Sequence, residues 1–490
     1  MARAVANRQR RSERRVRSIG SVASEFKSAE LGDARMTKRL VEVAEACSAA
    51  SDHSFPDMVE GKAELDGLYR FASNERVDPQ AVLAPHAKAT AARCREVSRV
   101  VVAHDTTECV FSSEVEREGL VPLGGKNRRG FLLHASVALG LDGVPRPLGV
   151  LHAAPWVRTE RRKRSKAKQA DGVKESARWG DAVRATRELL GEGVTAIHVM
   201  DREGDAYPSL AAMVEGGDHF VVRAAQDRVV LSDGDRLLLR EAVDRAEAVF
   251  DLEATLSKRR EGKTPYQKTF PPRDRRVAQL CFSAKKLKVK RPKNVRVGGL
   301  PPEIEVNVVR VWEPDPPEGV EAVEWYLLTS EAIDSSKAIQ TVVELYRARW
   351  VVEEFFKALK TGCAYETRQL TTYHALLVAL MVFLPVACRL LSLRSLLHRL
   401  PNASATLALT RLEIDVLREF STRVDVPADP TIEVALRAIA GLGGHLKHNG
   451  RPGWLTLARG MEKLMSLVAG WEAALAAQAK RCGTASARPG

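Results

Sequence analysis

Along residues 30–70 the apolar positions recur about one helical turn apart, with Leu31, Met36, Leu40 and Val43 setting the spacing. That pattern predicts a small N-terminal helical domain. Near residue 98 the character changes. RVVVAHD (99–105) is a short apolar, β-branched run that ends in a carboxylate, and it predicts a buried strand. GFLLHASVALGLDGVPRPLGVLH (130–152) predicts two strands that turn at Asp142-Gly143. VTAIHVMDREGD (194–205) predicts another buried strand ending in acid, followed by a helix and the strand HFVVRA (219–224). Strands alternating with helices predict an α/β layer. Strand-like pieces over 224–330 interrupt it, flanking two basic, proline-containing stretches at 257–276 and 285–296. From about residue 335 the helical period dominates to the end. No internal repeat is evident.

Composition narrows the class. A chain of 490 residues exceeds one compact core, and length alone predicts about three domains. Lys and Arg number 76 against 62 Asp and Glu, a formal charge of +14 that favours a polyanionic partner. The surplus is clustered. Residues 1–17 carry Arg3, Arg8, Arg10, Arg11, Arg14, Arg15 and Arg17 and are read as a mobile arm that contacts nucleic acid, a solvated tail being the plainer alternative. Residues 158–168 are a second cluster, and 285–296 place seven Lys or Arg in twelve positions.

Cys47, Cys94, Cys109, Cys281, Cys363, Cys388 and Cys482 are scattered, with no CxxC pair and no His/Cys group at zinc spacing. An odd, dispersed set fits a reducing cytoplasm rather than a disulfide scaffold. The arginine-rich start lacks a following apolar segment, so no secretory signal is expected. The longest charge-free apolar run, 375–388, contains Pro385 and falls short of the roughly 20 residues a membrane span needs. It predicts a buried helix in a soluble, intracellular protein.

The candidate chemistry starts with YRARWVVEEFFKALKTG (346–362). At about 100° per residue, Tyr346, Arg349, Glu353, Lys357 and Lys360 share a face roughly 80° wide, opposite an aliphatic stripe of Val351, Val352, Phe355, Ala358 and Leu359. Alone, that face reads first as an ordinary solvated one with Glu353–Lys357 as an i,i+4 pair. Glu354 sits at its edge. Asp105 and Asp201, each read as closing a buried strand, change the weighing. Three carboxylates converging on one point repel unless cations lie between them. Mg²⁺ suits such a set because it takes oxygen ligands and keeps waters and substrate phosphates. Two such ions about 4 Å apart support phosphodiester cleavage. Tyr346, Arg349 and Lys360 would then hold backbone phosphates.

VVVAHDTT (100–107), VMDREGD (199–205) and the 346–362 stretch together resemble the three catalytic blocks of DDE transposases. The closer resemblance is to the bacterial cut-and-paste insertion-sequence-four family, whose signature is Tyr-x2-Arg-x3-Glu-x6-Lys. Tyr346, Arg349, Glu353 and Lys360 fit that spacing without a gap. ELGDARMTKRL (30–40) and GLYRFASNERV (67–77) are similar to its N-terminal DNA-binding domain, WYLLTSEAI (325–333) to the segment before its glutamate helix, and LGGHLKH (442–448) with GWEAAL (470–475) to its C-terminal helical region.

The resemblance implies an α/β fold with an RNase H-like catalytic core interrupted by a β-strand-rich insertion, and helical terminal domains. It divides the chain into a basic arm (1–20), a helical DNA-binding domain (21–80), a catalytic domain (81–375) holding the insertion at about 224–330, and a helical dimerisation domain (376–490). Asp105, Asp201 and Glu353 are the implied catalytic metal ligands, for two Mg²⁺ ions with Mn²⁺ substituting. Trp325 holds the position of an aromatic that stacks on a base flipped from the transposon end, a core tryptophan being the alternative. Arg223 matches an arginine near the DNA, and Tyr346, Arg349, Lys357 and Lys360 complete the implied DNA contacts. Trp179 also matches, without a role. His445, His448 and Cys363 are read as structural.

The implied activity is excision of an element at its terminal inverted repeats through 3′ nicking and a hairpin, then strand transfer into target DNA. A homodimer on double-stranded DNA would do this in the bacterial cytoplasm, at the nucleoid and away from membranes. A non-transposing nuclease of the same fold, and a DNA-binding inhibitor without catalysis, remain as alternatives.

Overall fold

The computed structural model describes residues 22–59, 61–97, 99–112, 117–123, 128–141, 146–157, 177–259, 272–295, 297–446 and 452–485. The arginine-rich arm, the 158–168 cluster, the Asp142-Gly143 turn, most of the 257–276 stretch, His448 and the side chain of Cys482 lie outside these residues. The six other cysteines are free thiols.

After a short helical turn at Val22–Glu25 come helices α1 (Ala34–Ala49) and α2 (Lys62–Ala72), as the 30–70 pattern predicts. Asp33 caps α1, accepting from the Arg35 amide at 2.9 Å. Helix α3 (Pro79–Val97) leads into strand β1 (Arg99–Ser112), followed by β2 (Val121–Pro122), β3 (Arg128–Gly140) and β4 (Arg146–Trp156). Next come α4 (Ala177–Leu190), β5 (Thr195–Met200), α5 (Tyr207–Glu215) and β6 (His219–Arg223). Strands β3 and β4 are the antiparallel pair expected around residue 142.

The second strand group is β7 (Val229–Ser232), β8 (Asp235–Leu238), helix α6 (Leu239–Asp244), β9 (Phe250–Leu256), β10 (Arg276–Lys290), β11 (Glu303–Trp312) and β12 (Glu324–Thr329). These strands do not form a separate sheet. Strand β12 pairs antiparallel with β6, giving one mixed sheet in the order β2-β3-β1-β5-β6-β12-β11-β10-β7-β8, with β4 on β3 and β9 on β10.

Strand β1 corrects one expectation. The sequence reading ends it at Asp105, but it runs on to Ser112, paired with β3 down to Arg128. Thr106, Thr107, Cys109 and Phe111 keep β-compatible residues on both faces, so the carboxylate sits within the strand and does not end it. Side chains alternate across β1. Val101, Ala103, Cys109 and Phe111 join the large core under the later helices, while Val100 and Val102 pack with Ala91 and Cys94 of α3. Asp105 therefore shares the face of the later helices, and His104 faces α3 and α4.

Those later helices are α7 (Ser336–Ala348), α8 (Trp350–Lys357) and α9 (Tyr373–Arg399). The apolar 375–388 run lies inside α9, whose 27 residues are long and apolar enough to cross a membrane by composition, yet 83% of its apolar window is buried within the protein. It is the central core helix. A last cluster joins the end of α9 to α10 (Arg411–Phe420), α11 (Ile432–Leu442) and α12 (Trp454–Ala485), through Leu396, Ile414, Leu417, Ile439 and Leu464.

Candidate active site

Strands β1 and β5 run parallel with Ala103 opposite Val199. Asp105 and Asp201 each lie two residues further on, so they leave neighbouring strands about 4.8 Å apart. Asp201 follows the last residue of β5 and caps a short 3₁₀ turn, accepting from the Glu203 amide at 2.8 Å. Asp105 is fixed by the Thr106 amide, 2.7 Å from Oδ1.

Glu353 arrives from the helical side. Helix α8 buries Val352, Phe355 and Phe356, which turns Glu353 toward the sheet. One turn earlier, Arg349 bridges the two elements. Its Nη1 donates to Asp105 Oδ2 at 2.9 Å and its Nη2 to Glu353 Oε1 at 2.7 Å.

The electrostatics follow from burial. Desolvation pushes Asp105 up to about 7; the Arg349 charge opposes this, and Asp201 adds to it. Glu353 is raised from its ordinary value for the same first reason, again opposed by Arg349. Burial works against the Arg349 charge as well, yet Asp105, Tyr346 and Glu353 together hold its pKa above normal. The guanidinium carries one positive charge against this pair of acids.

The donors Asp105, Asp201 and Glu353 are all carboxylate oxygens, and the shifts on Asp105 and Glu353 come first from burial, with Asp201 adding to both. Both features fit hard divalent cations. The three are not drawn into a tight knot, however. Among the described residues, the trio whose donor atoms all lie within 4.8 Å is a different one, Asp52, His53 and Glu462.

Beside Arg349, Tyr346 is buried and meets Trp325 edge-on, with centroids 5.4 Å apart. Trp325 is the second residue of β12 and is half-buried. Arg223, opposite Leu327 in the β6–β12 ladder, lies with its guanidinium carbon 5.7 Å from the Trp325 ring centroid. Burial lowers the Arg223 pKa and Tyr346 opposes that shift. Arg223, Trp325, Tyr346 and Arg349 thus form one contiguous strip running from the sheet to the carboxylates.

The wheel drawn through 346–360 assumed one regular α-helix. In fact α7 ends at Ala348, α8 begins at Trp350, and a π-helical turn occupies Ala358–Gly362. Lys360, on that wider turn, donates to the Glu108 carbonyl on β1 and lies 3.2 Å from Glu366 Oε1. Lys357 is not part of this group. Its Nζ pairs with Glu354 at 2.7 Å, sits 5.5 Å from the Trp350 ring and is half exposed. The i,i+4 pair in the helix is Arg349–Glu353, not Glu353–Lys357.

Three supports escape the sequence reading. Asp205 has a fully buried side chain that accepts from the Ala225 and Gln226 amides at 2.7 and 3.0 Å and from Arg228, tying the loop after Asp201 to the one after Arg223. Its one signal is the second aspartate of DREGD. Glu366 accepts from the Val110 amide at 2.9 Å and so seats Lys360 against β1. On the far face of β1, His104 Nε2 lies 2.8 Å from His198 Nδ1 and its Nδ1 lies 2.9 Å from Ser136 Oγ.

Residues 20–77 match the family described as transposase DNA-binding. Residues 169–384 match the transposase DDE domain. The second match takes in Asp201, Arg223, Trp325, Tyr346, Arg349, Glu353, Lys357 and Lys360; Asp105 precedes it and is brought alongside by the β1–β5 pairing. The chain thus carries the two domains of a DDE transposase, one that binds DNA and one that cuts and joins it.

Proposed function

We propose that this chain is a cut-and-paste transposase of the insertion-sequence-four type, acting on the terminal inverted repeats of its own element. The observation that carries the reading is Arg349 bridging Asp105 and Glu353, from the arginine and glutamate of the Tyr-x2-Arg-x3-Glu-x6-Lys signature. The order β4-β3-β1-β5-β6, antiparallel on one side of β1 and parallel on the other, supports an RNase H-like core, with β7–β12 as its insertion.

Asp105, Asp201 and Glu353 would hold two Mg²⁺ ions, or Mn²⁺ in their place, which when bound supply Lewis acidity to the attacking and leaving oxygens. The protein's own groups do the positioning. Arg349, Tyr346, Lys360 and Arg223 hold backbone phosphates, and Trp325 stacks on a base unstacked from the transposon end, a contact worth roughly 1–3 kcal/mol. Water opens the phosphodiester at each end to leave a 3′-hydroxyl. That hydroxyl attacks the opposite strand to form a hairpin, a second water reopens it, and the 3′-hydroxyls join target DNA. One site serves every step, so the DNA moves between steps.

The helical domain near residues 21–80 and the insertion read the end sequence, while basic residues supply most of the affinity. Two protomers hold two ends, with the region 376–490 as their contact, in the cytoplasm at the nucleoid.

The test uses purified protein, a duplex bearing the element's terminal repeat, and Mg²⁺, with Glu353→Ala alongside. Nicked, hairpin and joined products from the wild type, with binding alone from the variant, are expected. Cleavage without paired ends or joining would indicate a plain nuclease. Binding without cleavage in both Mg²⁺ and Mn²⁺ would overturn catalysis altogether.

A further inference from the structure

Away from the catalytic carboxylates, Asp52, His53 and Glu462 each bring a donor atom to within 4.8 Å of the others. Asp52 and His53 lie on the turn after α1, inside the stretch matched to the transposase DNA-binding family. Glu462 comes from α12, near the other end of the chain. His53 Nε2 lies 3.3 Å from Glu462 Oε2.

The state of Asp52 points to a missing ligand. Its side chain is only 4% exposed. Oδ2 accepts from Arg459 Nε at 3.1 Å, but Oδ1 is buried with no hydrogen-bond partner. Buried carboxylate oxygens are rarely left so, because the group has given up its hydration without a replacement. Arg459 pairs with Asp52, and the His53 ring lies beside Glu462. His53 and Glu462 remain partly open, at 37% and 21% exposure, so solvent can complete a coordination shell from one side.

We propose that Asp52, His53 and Glu462 form a divalent transition-metal site of the Zn²⁺ class. One imidazole nitrogen with two carboxylate oxygens suits Zn²⁺ or Co²⁺ better than Mg²⁺, which favours all-oxygen shells. The placement gives the ion a purpose. The main chain of the same turn is held by Arg368, which donates to the Ser51, His53 and Cys363 carbonyls. Ser51 Oγ also donates to the Gly362 carbonyl at 3.2 Å, at the end of the π-helical turn behind the Glu353 helix. A cation here braces the DNA-binding stretch against the C-terminal helix, next to the segment that carries the catalytic glutamate. It is a structural clamp separate from the reaction's own metals.

The experiment uses the full chain carrying Glu353→Ala, which weakens competing binding at the catalytic carboxylates. Chelator-stripped protein is titrated with Zn²⁺ by calorimetry and with Co²⁺ by visible absorption. One saturable site per chain is expected, and His53→Ala and Glu462→Gln should each weaken it at least tenfold. The Co²⁺ bands should lose their nitrogen-ligand signature in His53→Ala. Zn²⁺ should raise Tm in the parent and in neither variant. Equal affinity in parent and variants, or no saturation at tens of micromolar Zn²⁺, overturns the proposal. Both substituted side chains are partly exposed, and melts in chelator verify that each variant folds; if one does not, the other decides.

Discussion

Arg349 spans from the junction of two helices to the central strand, its Nη1 2.9 Å from Asp105 Oδ2. The same guanidinium holds Glu353 Oε1 at 2.7 Å. On the proposed reading, a guanidinium shared by these two carboxylates competes with cations for them, and would turn to a phosphate when cations bind. Arg349→Ala should therefore lower end cleavage by about 100-fold or more, the scale of losing a charged positioning contact, while end binding changes by only a fewfold. Gel-shift and cleavage assays on the same duplex separate the two. Equal losses in both would sink the idea that Arg349 acts in the catalytic complex.

Asp105 is the less exposed of the two acids, and desolvation raises it to about 7. The sign follows. Its folded pKa lies above its unfolded one, so the folded protein binds more protons between about pH 4 and 7 and loses stability as pH rises through that window. Above it, the full cost of the charge is present. Asp105→Asn should stabilise the metal-free protein by about 1–3 kcal/mol at pH 8 and much less at pH 5, because burial costs this carboxylate more than Arg349 returns. Melts in chelator at the two pH values test this; a variant less stable than wild type at pH 8 refutes it.

Lys357 and Lys360 were grouped by the helical wheel and are separated by the structure. Lys360→Ala removes the partner of the Glu108 carbonyl and of Glu366 beneath β1, and cleavage should fall at least tenfold. Lys357→Ala breaks only a half-exposed pair with Glu354, and such pairs contribute about 0.2–1 kcal/mol. Its cleavage rate and end affinity should stay within about twofold of wild type. A large loss of end affinity in Lys357→Ala would restore it as a DNA contact.

That separation shows where the sequence was legible. Asp105, Asp201 and Glu353 could be picked out because acid after a β-branched run, and acid opposite an aliphatic helical stripe, are local patterns. Tyr346, Arg349 and Glu353 keep their common direction because the chain from 346 to 353 stays helical through Arg349, at φ −52° and ψ −32°. Lys360 lies beyond a π-helical turn that no residue pattern announces, and Lys357 turns away to Glu354. The true length of β1 depended on its pairing with β3. The merging of 229–329 into the catalytic sheet rests on β12 finding β6 across a hundred residues of sequence. Asp52, His53 and Glu462 have no spacing that a reader could detect, because their proximity is wholly tertiary.

The polar layer on the far side of β1 predicts acid sensitivity. Burial lowers His104 well below the usual histidine range and brings His134 and His198 down to about 3. Histidines held neutral in the fold bind fewer protons than in the unfolded chain, so stability is lost as pH falls below about 6.5. Each contributes up to about 1.4 kcal/mol per pH unit across that window. Urea midpoints should drop steeply between pH 7.5 and 5. His198→Leu should be less stable at pH 7.5, since it strips His104 of a partner 2.8 Å away, yet show a flatter fall. A midpoint independent of pH in this range would mean these rings accept protons within the fold.

Arg368 is a charge placed for architecture. It is 1% exposed, donates to the carbonyls of Ser51, His53 and Cys363, and lies 5.3 Å from the Phe55 ring centroid and 4.4 Å from that of Phe383. Three neutral carbonyls from two places in the chain share one fork of donors, and two aromatic faces shield it. Arg368→Met keeps much of the volume but leaves buried carbonyls without donors, so it should cost about 3–5 kcal/mol in urea denaturation. Arg368→Lys should restore little, because a single ammonium cannot reproduce the planar fork. The loss should also be local first. Limited proteolysis of the methionine variant should open the turn at residues 50–54 before the sheet, because that turn is what Arg368 fastens to the end of the π-helical turn. Wild-type melting and an uncut turn in Arg368→Met would show that the aromatic packing alone holds this junction together.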